Sequence, residues 1–143
     1  MIKMNNDFET YINRLIKVIN DCCHGIGWKN HSERTKSGKY LKGEVFDFII
    51  LSKDYKCCFD AKMTHSDKYR ICKKDINQAN NLLLSWKAGI DAFFLIYFFN
   101  ERNYRKLDIL TFYEILKDRK YITYKDCKNF KLERMFLHEK KNK

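Results

Sequence analysis

Two short apolar segments that each carry an acid constrain the fold more than any other feature of the chain. Residues 45–51 read VFDFIIL, residues 56–63 read KCCFDAKM, and a polar stretch separates them. Short runs of β-branched and aromatic residues between turn residues are typical of strands. Residues 43–64 are therefore predicted to form a β-hairpin.

The position of the turn decides which residues of the hairpin face each other. A turn centred on Lys53 and Asp54 places Asp47 directly opposite Asp60, with their Cβ atoms roughly 5 Å apart. Lys62 shares the face of Asp60, because alternate residues of a strand point the same way. Facing carboxylates on an apolar sheet destabilise it unless a cation neutralises them, and a divalent metal bridges carboxylates as lysine cannot. We therefore expect a metal site at Asp47 and Asp60.

Such a site suits the hydrolysis of phosphodiesters. Mg²⁺ on the two acids would polarise a phosphate and lower the pKa of a bound water, and Lys62 would orient that water or stabilise transition-state charge. The alternative is that Asp47 and Asp60 lie at strand ends and pair with some of the many lysines. The hairpin sequence alone leaves both interpretations open.

The same residues resemble the signature of the PD-(D/E)XK nucleases, with Asp47 as the first acid and Asp60-Ala61-Lys62 as the second motif. The chain is also similar to the RecU-type Holliday junction resolvases of that superfamily over roughly residues 6–116. The segments that carry this similarity are FDAKMT at 59–64, INQ at 76–78 and GIDAFFLIYF at 89–98.

The resemblance implies a fold and an activity. The fold would be α/β, with a restriction-endonuclease-like core in which helices flank a mixed β-sheet, and the predicted element order of helix, hairpin, helix, strand, strand and helix agrees with it. The activity would be endonucleolytic cleavage of branched DNA that depends on Mg²⁺, with Mn²⁺ as a substitute. Two symmetric cuts need two active sites, so we expect a homodimer. One nuclease domain would span residues 1–143, with a core at about 6–117 and a basic extension at 118–143.

Glu9 and Gln78 each have two interpretations. Glu9 follows a predicted helix start at Asn5 or Asn6, and RecU-type proteins carry an acid on the first helix that reaches the metal or its water. The alternative is an acid that stabilises the helix N-terminus. Gln78 stands where RecU-type proteins carry a glutamine that would contact the metal or its water. It also follows Asp75 at the spacing of a capping box.

The chain departs from the RecU pattern at three places. Phe46 stands in the position of the signature proline, and Val45 stands where RecU-type proteins carry a threonine that binds the metal. Any ligation at Val45 would therefore come from the backbone. The segment before Asp47 is also shorter than the RecU stalk. We expect catalysis to survive these changes better than selectivity for junctions.

The charge of the chain favours a polyanionic partner. The formal net charge is +11 at pH 7 and aromatic residues make up 15% of the chain, a combination that favours nucleic acid. A lysine-rich chain from an AT-rich genome would be basic without such a partner. Residues 23–42 are predicted to be an irregular linker or arm. The residues proposed to contact DNA phosphates are Lys36, Lys39, Lys42, Lys68, Arg70, Lys73 and Lys74.

Cysteine usage and hydropathy indicate the cellular setting. The six cysteines show no zinc-ligand spacing, which favours a reduced protein over a disulfide scaffold. No apolar run approaches the length of a membrane span, and we expect a cytoplasmic protein, in a bacterial, phage or viral setting, without a membrane partner.

Two other functions are compatible with the sequence. A restriction, repair or phage-encoded nuclease of the same superfamily would share the core and the site. A catalytically silent nucleic-acid-binding protein would keep the basic surface and lose metal binding.

Overall fold

The computed structural model describes residues 4–22, 25–30, 33–34, 40–42 and 47–136 of the chain. Its helices are α1 (Met4–Asp21), α2 (Lys73–Lys87), α3 (Ile109–Leu116) and α4 (Leu132–Phe136). Its strands are β1 (Gly25–Lys29), β2 (Glu33–Arg34), β3 (Tyr40–Lys42), β4 (Phe48–Ser52), β5 (Lys56–Thr64), β6 (Lys68–Arg70), β7 (Asp91–Phe98), β8 (Asn103–Asp108), β9 (Tyr121–Thr123) and β10 (Lys128–Asn129).

The described strands form one large mixed sheet and two small ribbons. The large sheet has six strands in the order β1-β4-β5-β7-β8-β10. Strands β5 and β7 run parallel, and the other neighbours are antiparallel. The ribbons pair β2 with β3 and β6 with β9. Since helix α2 connects the parallel pair, the predicted α/β fold with a mixed sheet is confirmed.

The core lies on both faces of the large sheet. On one face, Phe8 and Ile12 of α1 pack against the strand residues Phe48 and Phe59. On the other face, residues of α2 and α3 cover Cys58, Phe94 and their neighbours. Alternation along β5 therefore sends Phe59 towards α1 and Cys58 towards α2. Asp60 and Lys62 follow Cys58 at the same spacing, which places both on the α2 face.

The predicted hairpin register is confirmed. Strands β4 and β5 are antiparallel, with Phe48 opposite Phe59 and Leu51 opposite Lys56. The same count places Asp47, in the bend just before β4, opposite Asp60. The strand was predicted to start at residue 45, but residues 43–46 lie outside the described part of the chain and β4 itself begins at Phe48.

The expectation of an irregular linker at residues 23–42 is wrong for residues 25–29, because they form β1, an edge strand of the large sheet paired with β4. The two glycines suggested a loop, yet they allow close packing. A Cβ at Gly25 would lie 2.4 Å from the Leu51 carbonyl oxygen, and one at Gly27 would lie 3.2 Å from the Ile49 oxygen. Glycine in a strand often marks such close approach of another backbone.

The two ends of the described chain also differ from expectation. Helix α1 is already formed at Met4, so neither Asn5 nor Asn6 caps it. Residues 118–136, expected to extend from the core, contribute β10 to the large sheet, and Leu132 and Phe136 of α4 are buried. No helix in the described residues is long and apolar enough to cross a membrane.

Candidate active site

Asp47 and Asp60 converge where the hairpin leaves the sheet. The Asp47 backbone N–H donates to Oδ1 of Asp60 at 2.6 Å, and the Ala61 N–H donates to Oδ2 of Asp47 at 3.1 Å. Asp60 is fully buried and Asp47 is 9% exposed. These two bonds hold each carboxylate against the backbone of the opposite segment of the hairpin and bring two buried acids together in an apolar surrounding, a costly arrangement that points to function rather than to stability.

Lys62 joins the pair from the same face of β5. Its Nζ donates to Oε1 of Gln78 at 2.6 Å and lies 3.1 Å from Oδ1 of Asp75. Both partners come from the first turns of α2, which packs on this face of the sheet. The lysine side chain is 13% exposed, so its ammonium group is held in one place by two oxygens.

Asp75 is a residue of the candidate site that was not predicted from the sequence. Its side chain is 2% exposed and accepts hydrogen bonds from the Tyr69 hydroxyl at 3.0 Å and the Cys72 N–H at 2.9 Å. Burial raises the pKa of Tyr69, and the charge of Asp75 raises it further, so this phenol remains a donor. An acid in the first turn of a helix suggested only a cap, and nothing local indicates its contact with Lys62.

Replacing Asp75 by asparagine should slow catalysis with little effect on DNA binding. Asparagine keeps an oxygen for the Tyr69 and Cys72 donors but removes the charge that holds Lys62. Misplacing a catalytic group in this way costs roughly 100-fold. We expect kcat to fall by about 10- to 100-fold while KM for DNA is unchanged. Steady-state cleavage kinetics measure this, with exposed Asp67→Asn as the control, and a rise in KM alone would contradict the positioning role.

Gln78 does not complete a capping box, so that interpretation is wrong. Cys72 is the N-cap of α2, and Asp75 makes the reciprocal bond to it. Gln78 lies one turn further into the helix, is 5% exposed and accepts from Lys62. Gln78 therefore belongs to the site through its hydrogen bond with Lys62. Its contact with a metal or with the metal's water stays a prediction.

Glu9 lies at the edge of the same site. A pocket of about 230 Å³ is lined by Glu9, Phe8, Ala61, Lys62, Met63 and Tyr69. Oε1 of Glu9 is 3.6 Å from the Lys29 Nζ of β1, and the glutamate side chain is 41% exposed. Glu9 thus shares a pocket with Lys62, whereas its predicted contact with the metal stays a prediction.

The donor set at this site fits a hard divalent cation. Among the described residues, no three His, Cys, Asp or Glu side chains form a group that could hold a metal. Mg²⁺, however, usually keeps several waters and takes only one or two carboxylates together with substrate phosphates. Asp47 and Asp60 supply such a pair beside an open pocket. Carboxylate oxygens also suit such a hard ion better than the softer metals that prefer sulfur.

Four of the predicted phosphate contacts lie close to this site. Lys68 and Arg70 are exposed on β6, on either side of Tyr69, which lines the pocket. Lys73 and Lys74 are exposed in the first turn of α2. Cations are unfavourable at a helix N-terminus, so an anion bound there would be stabilised by both the helix and the lysines. Lys36 and Lys39 lie outside the described residues, as does the side chain of Lys42.

Comparison with known proteins places the chain in a family. The family model described as "RecU: Recombination protein U" matches residues 2–141, almost the whole chain. The chain belongs to the RecU family. This RecU-family protein is therefore an endonuclease of the Holliday junction resolvase type, and a requirement for a divalent metal is general among such nucleases.

A solved structure shares the fold of this RecU-family protein. It is Hjc of Archaeoglobus fulgidus, described as a Holliday junction resolvase from an archaeal hyperthermophile, with a TM-score of 0.53. The match covers 82% of this chain and 90% of that chain at 10% sequence identity, so it shows the fold alone. No curated protein matches this RecU-family protein in sequence.

Proposed function

We propose that this RecU-family protein is a homodimeric resolvase that cuts four-way DNA junctions with Mg²⁺ held by Asp47 and Asp60. The observation that carries the proposal is the reciprocal pair of buried carboxylates with Lys62 fixed beside it. Mn²⁺ has similar oxygen preferences and would substitute for Mg²⁺.

The side chains of the site have separate roles in this mechanism. A bound divalent ion would supply the charge that polarises the scissile phosphate and lowers the pKa of water. Lys62 places its ammonium group where negative charge develops on the phosphate, and it orients the attacking water. Asp75 and Gln78 keep that ammonium group in position, because they hold it at 3.1 and 2.6 Å.

Glu9 and Gln78 complete the proposed set of residues around the ion. Glu9 lines the pocket beside Lys62 and can accept a proton from water that enters it. Gln78 has one amide group bonded to Lys62, and its place near the lysine supports contact with the attacking water. A glutamate that only stabilised α1 would not need to face this pocket.

Binding to DNA would rest on the basic surface around the site. Lys68, Arg70, Lys73 and Lys74 would hold the phosphates next to the scissile bond, and Lys36, Lys39 and Lys42 are further candidates for phosphate contacts. Phosphate contacts position a protein on DNA without reading its sequence. Selectivity for a junction would come from two active sites at a fixed separation, which one copy of this small chain does not provide. In a bacterial or phage setting, a protein that acts on recombining DNA would work in the cytoplasm.

Junction affinity should fall steeply as salt rises. Neutralising several phosphates releases counterions, and six to ten such contacts lose roughly 10³- to 10⁵-fold in affinity between 50 and 200 mM salt. We expect a fall of about 10³-fold for a four-way junction, with weaker binding to linear duplex of the same length. Fluorescence anisotropy without Mg²⁺ measures both affinities.

Cleavage of a panel of linear, flapped and four-way DNA tests the substrate. Two symmetric nicks in the four-way junction, made only with Mg²⁺ or Mn²⁺, are expected. Equal affinity for junction and duplex, together with cleavage of linear DNA, would instead indicate another nuclease of the superfamily. Tight binding without cleavage under any condition would indicate a catalytically silent DNA-binding protein.

A further inference from the structure

A second pocket lies beside the catalytic one and is built largely from aromatic side chains. It has a volume of about 390 Å³, within the range of sites that bind small organic groups. The residues that define it here are Phe8, Tyr97, Phe99, Arg102, Asn103 and Tyr104. Phe8 also lines the pocket that contains Lys62, so the two pockets share a wall.

The floor of this aromatic pocket is made of packed rings, and hydrogen bonds anchor one of them. The ring of Phe8 lies 5.4 Å from that of Tyr97 and 5.5 Å from that of Tyr104, measured between centroids. The Tyr104 hydroxyl donates to Glu133 at 2.9 Å and accepts from the Leu132 N–H at 3.1 Å. Phe8 and Tyr104 are only 5% and 8% exposed, so the ring surface open to a ligand belongs mainly to Tyr97 and to Phe99, which is 43% exposed.

The rim of the aromatic pocket adds a cation. Arg102 is exposed and adopts the left-handed conformation, with φ 51° and ψ 39°. Glycine or asparagine would be less strained there, so an arginine at this turn suggests a use for its charge. The Asn103 amide takes no part in this rim, because Nδ2 donates at 2.9 Å to the hydroxyl of Tyr124, which packs with the residues of the α2 and α3 face.

The aromatic pocket lies one strand away from the pocket of Lys62. In the parallel pair β5 and β7, Met63 is opposite Tyr97, and Met63 lines the pocket of Lys62. Neighbouring strands are about 4.8 Å apart. The Phe99 ring also lies 4.9 Å from that of His65, which follows β5 directly. A nucleotide adjacent to the scissile phosphate can therefore reach the aromatic pocket.

We propose that the aromatic pocket receives one nucleobase that is unstacked at the branch point of the DNA, next to the scissile phosphate. The inference rests on the proposed function, since it takes branched DNA as the substrate. Stacking on the accessible rings of Phe99 and Tyr97 would bind any of the four bases, and Arg102 would hold the adjoining phosphate. Intact duplex keeps its bases stacked and leaves the pocket empty, which provides a preference for branched DNA.

Matched aromatic substitutions test the contribution of the pocket to binding. Phe99 at its rim and Trp86, which lines a separate pocket on the other side of β7, are both 43% exposed. We expect Phe99→Leu to weaken four-way junction binding by about 5- to 150-fold, the loss typical of one base–aromatic stack. Trp86→Leu should bind as the wild type does. Equal affinities of the two variants for the junction would overturn the proposal.

Arg102→Gly separates binding from folding. Glycine relieves the left-handed backbone strain, so the melting temperature should stay the same or rise while junction affinity falls. An unchanged affinity would remove Arg102 from the proposed site.

Photo-crosslinking identifies the base directly. Junctions with 5-iodouracil at successive positions around the branch point are irradiated with the full-length wild-type protein in the absence of Mg²⁺, and the crosslinked residues are mapped by mass spectrometry. Crosslinks from a branch-point position to Tyr97, Phe99 or Tyr104 are expected, and crosslinks only to residues outside the pocket would overturn the proposal. Failure of the wild-type protein to cut four-way junctions would refute the proposed function. The crosslinks report whether a base occupies the pocket, independently of cleavage.

Discussion

Asp60→Asn should abolish cleavage and leave DNA binding intact. Asparagine has the shape of aspartate and can still accept from the Asp47 N–H, which donates to Oδ1 at 2.6 Å. It lacks the negative charge that a divalent cation requires, so the chemistry loses its main electrostatic contribution. We expect the cleavage rate to fall by roughly 10³-fold or more, the upper range for loss of one electrostatic group. Single-turnover cleavage of a four-way junction measures it.

Binding measured beside cleavage makes this prediction specific. Junction affinity of Asp60→Asn without Mg²⁺ should equal that of the wild type or exceed it slightly, because one negative charge near the phosphates is gone. Asp54→Asn is the matched control, since Asp54 is exposed in the turn at the far end of the same hairpin. Cleavage by Asp60→Asn at the wild-type rate would mean that the site is wrongly assigned.

Lys62→Ala should lower both the cleavage rate and the free energy of unfolding. Its ammonium group lies 3.1 Å from Asp75, whose side chain is 2% exposed. Replacement by alanine therefore leaves the buried Asp75 carboxylate without its cation. Breaking a buried pair from one side costs about 3 kcal/mol or more in the free energy of unfolding. We also expect cleavage to fall by roughly 10²- to 10³-fold, because the positive charge at the phosphate is lost. Urea unfolding and single-turnover cleavage measure the two effects.

A double variant separates these two effects of Lys62. Adding Asp75→Asn to Lys62→Ala removes the uncompensated charge. The free energy of unfolding of the double variant should therefore be higher than the sum of the two single-variant losses predicts. Cleavage should stay low, because the lysine itself is still missing. Exposed Lys56, on the same strand, serves as the control as Lys56→Ala. Recovery of cleavage in the double variant would show that Lys62 acts only through stability.

The sequence by itself determined the hairpin and its pair of acids. Strand β4 and strand β5 are adjacent in sequence, so a single turn and a side-chain period of two settle their register. That register predicted that Asp47 faces Asp60 and that Lys62 shares the face of Asp60. The family also followed from the sequence, because its motif lies within this hairpin and the elements directly after it.

Glycine signals and helix ends were less informative, because one local pattern has several structural causes. Gly25 and Gly27 are typical of a loop, yet here they let β1 approach the backbone of β4. Gln78 and Asp75 have the spacing of a cap, but it is Cys72 that caps α2. Packing against distant elements decides between such alternatives.

The tertiary structure alone decided what surrounds the acids. Asp75 reaches Lys62 only because α2 packs on one face of β5, and the aromatic pocket exists only because Phe8 of α1 contacts rings of β7 and β8 on the opposite face. These contacts join residues that are distant in sequence, such as Phe8 and Tyr104, whose rings are 5.5 Å apart. The hydrophobic periodicity of one segment carries no information about such pairs. The position of each helix on the sheet is decided by the burial of its whole apolar face.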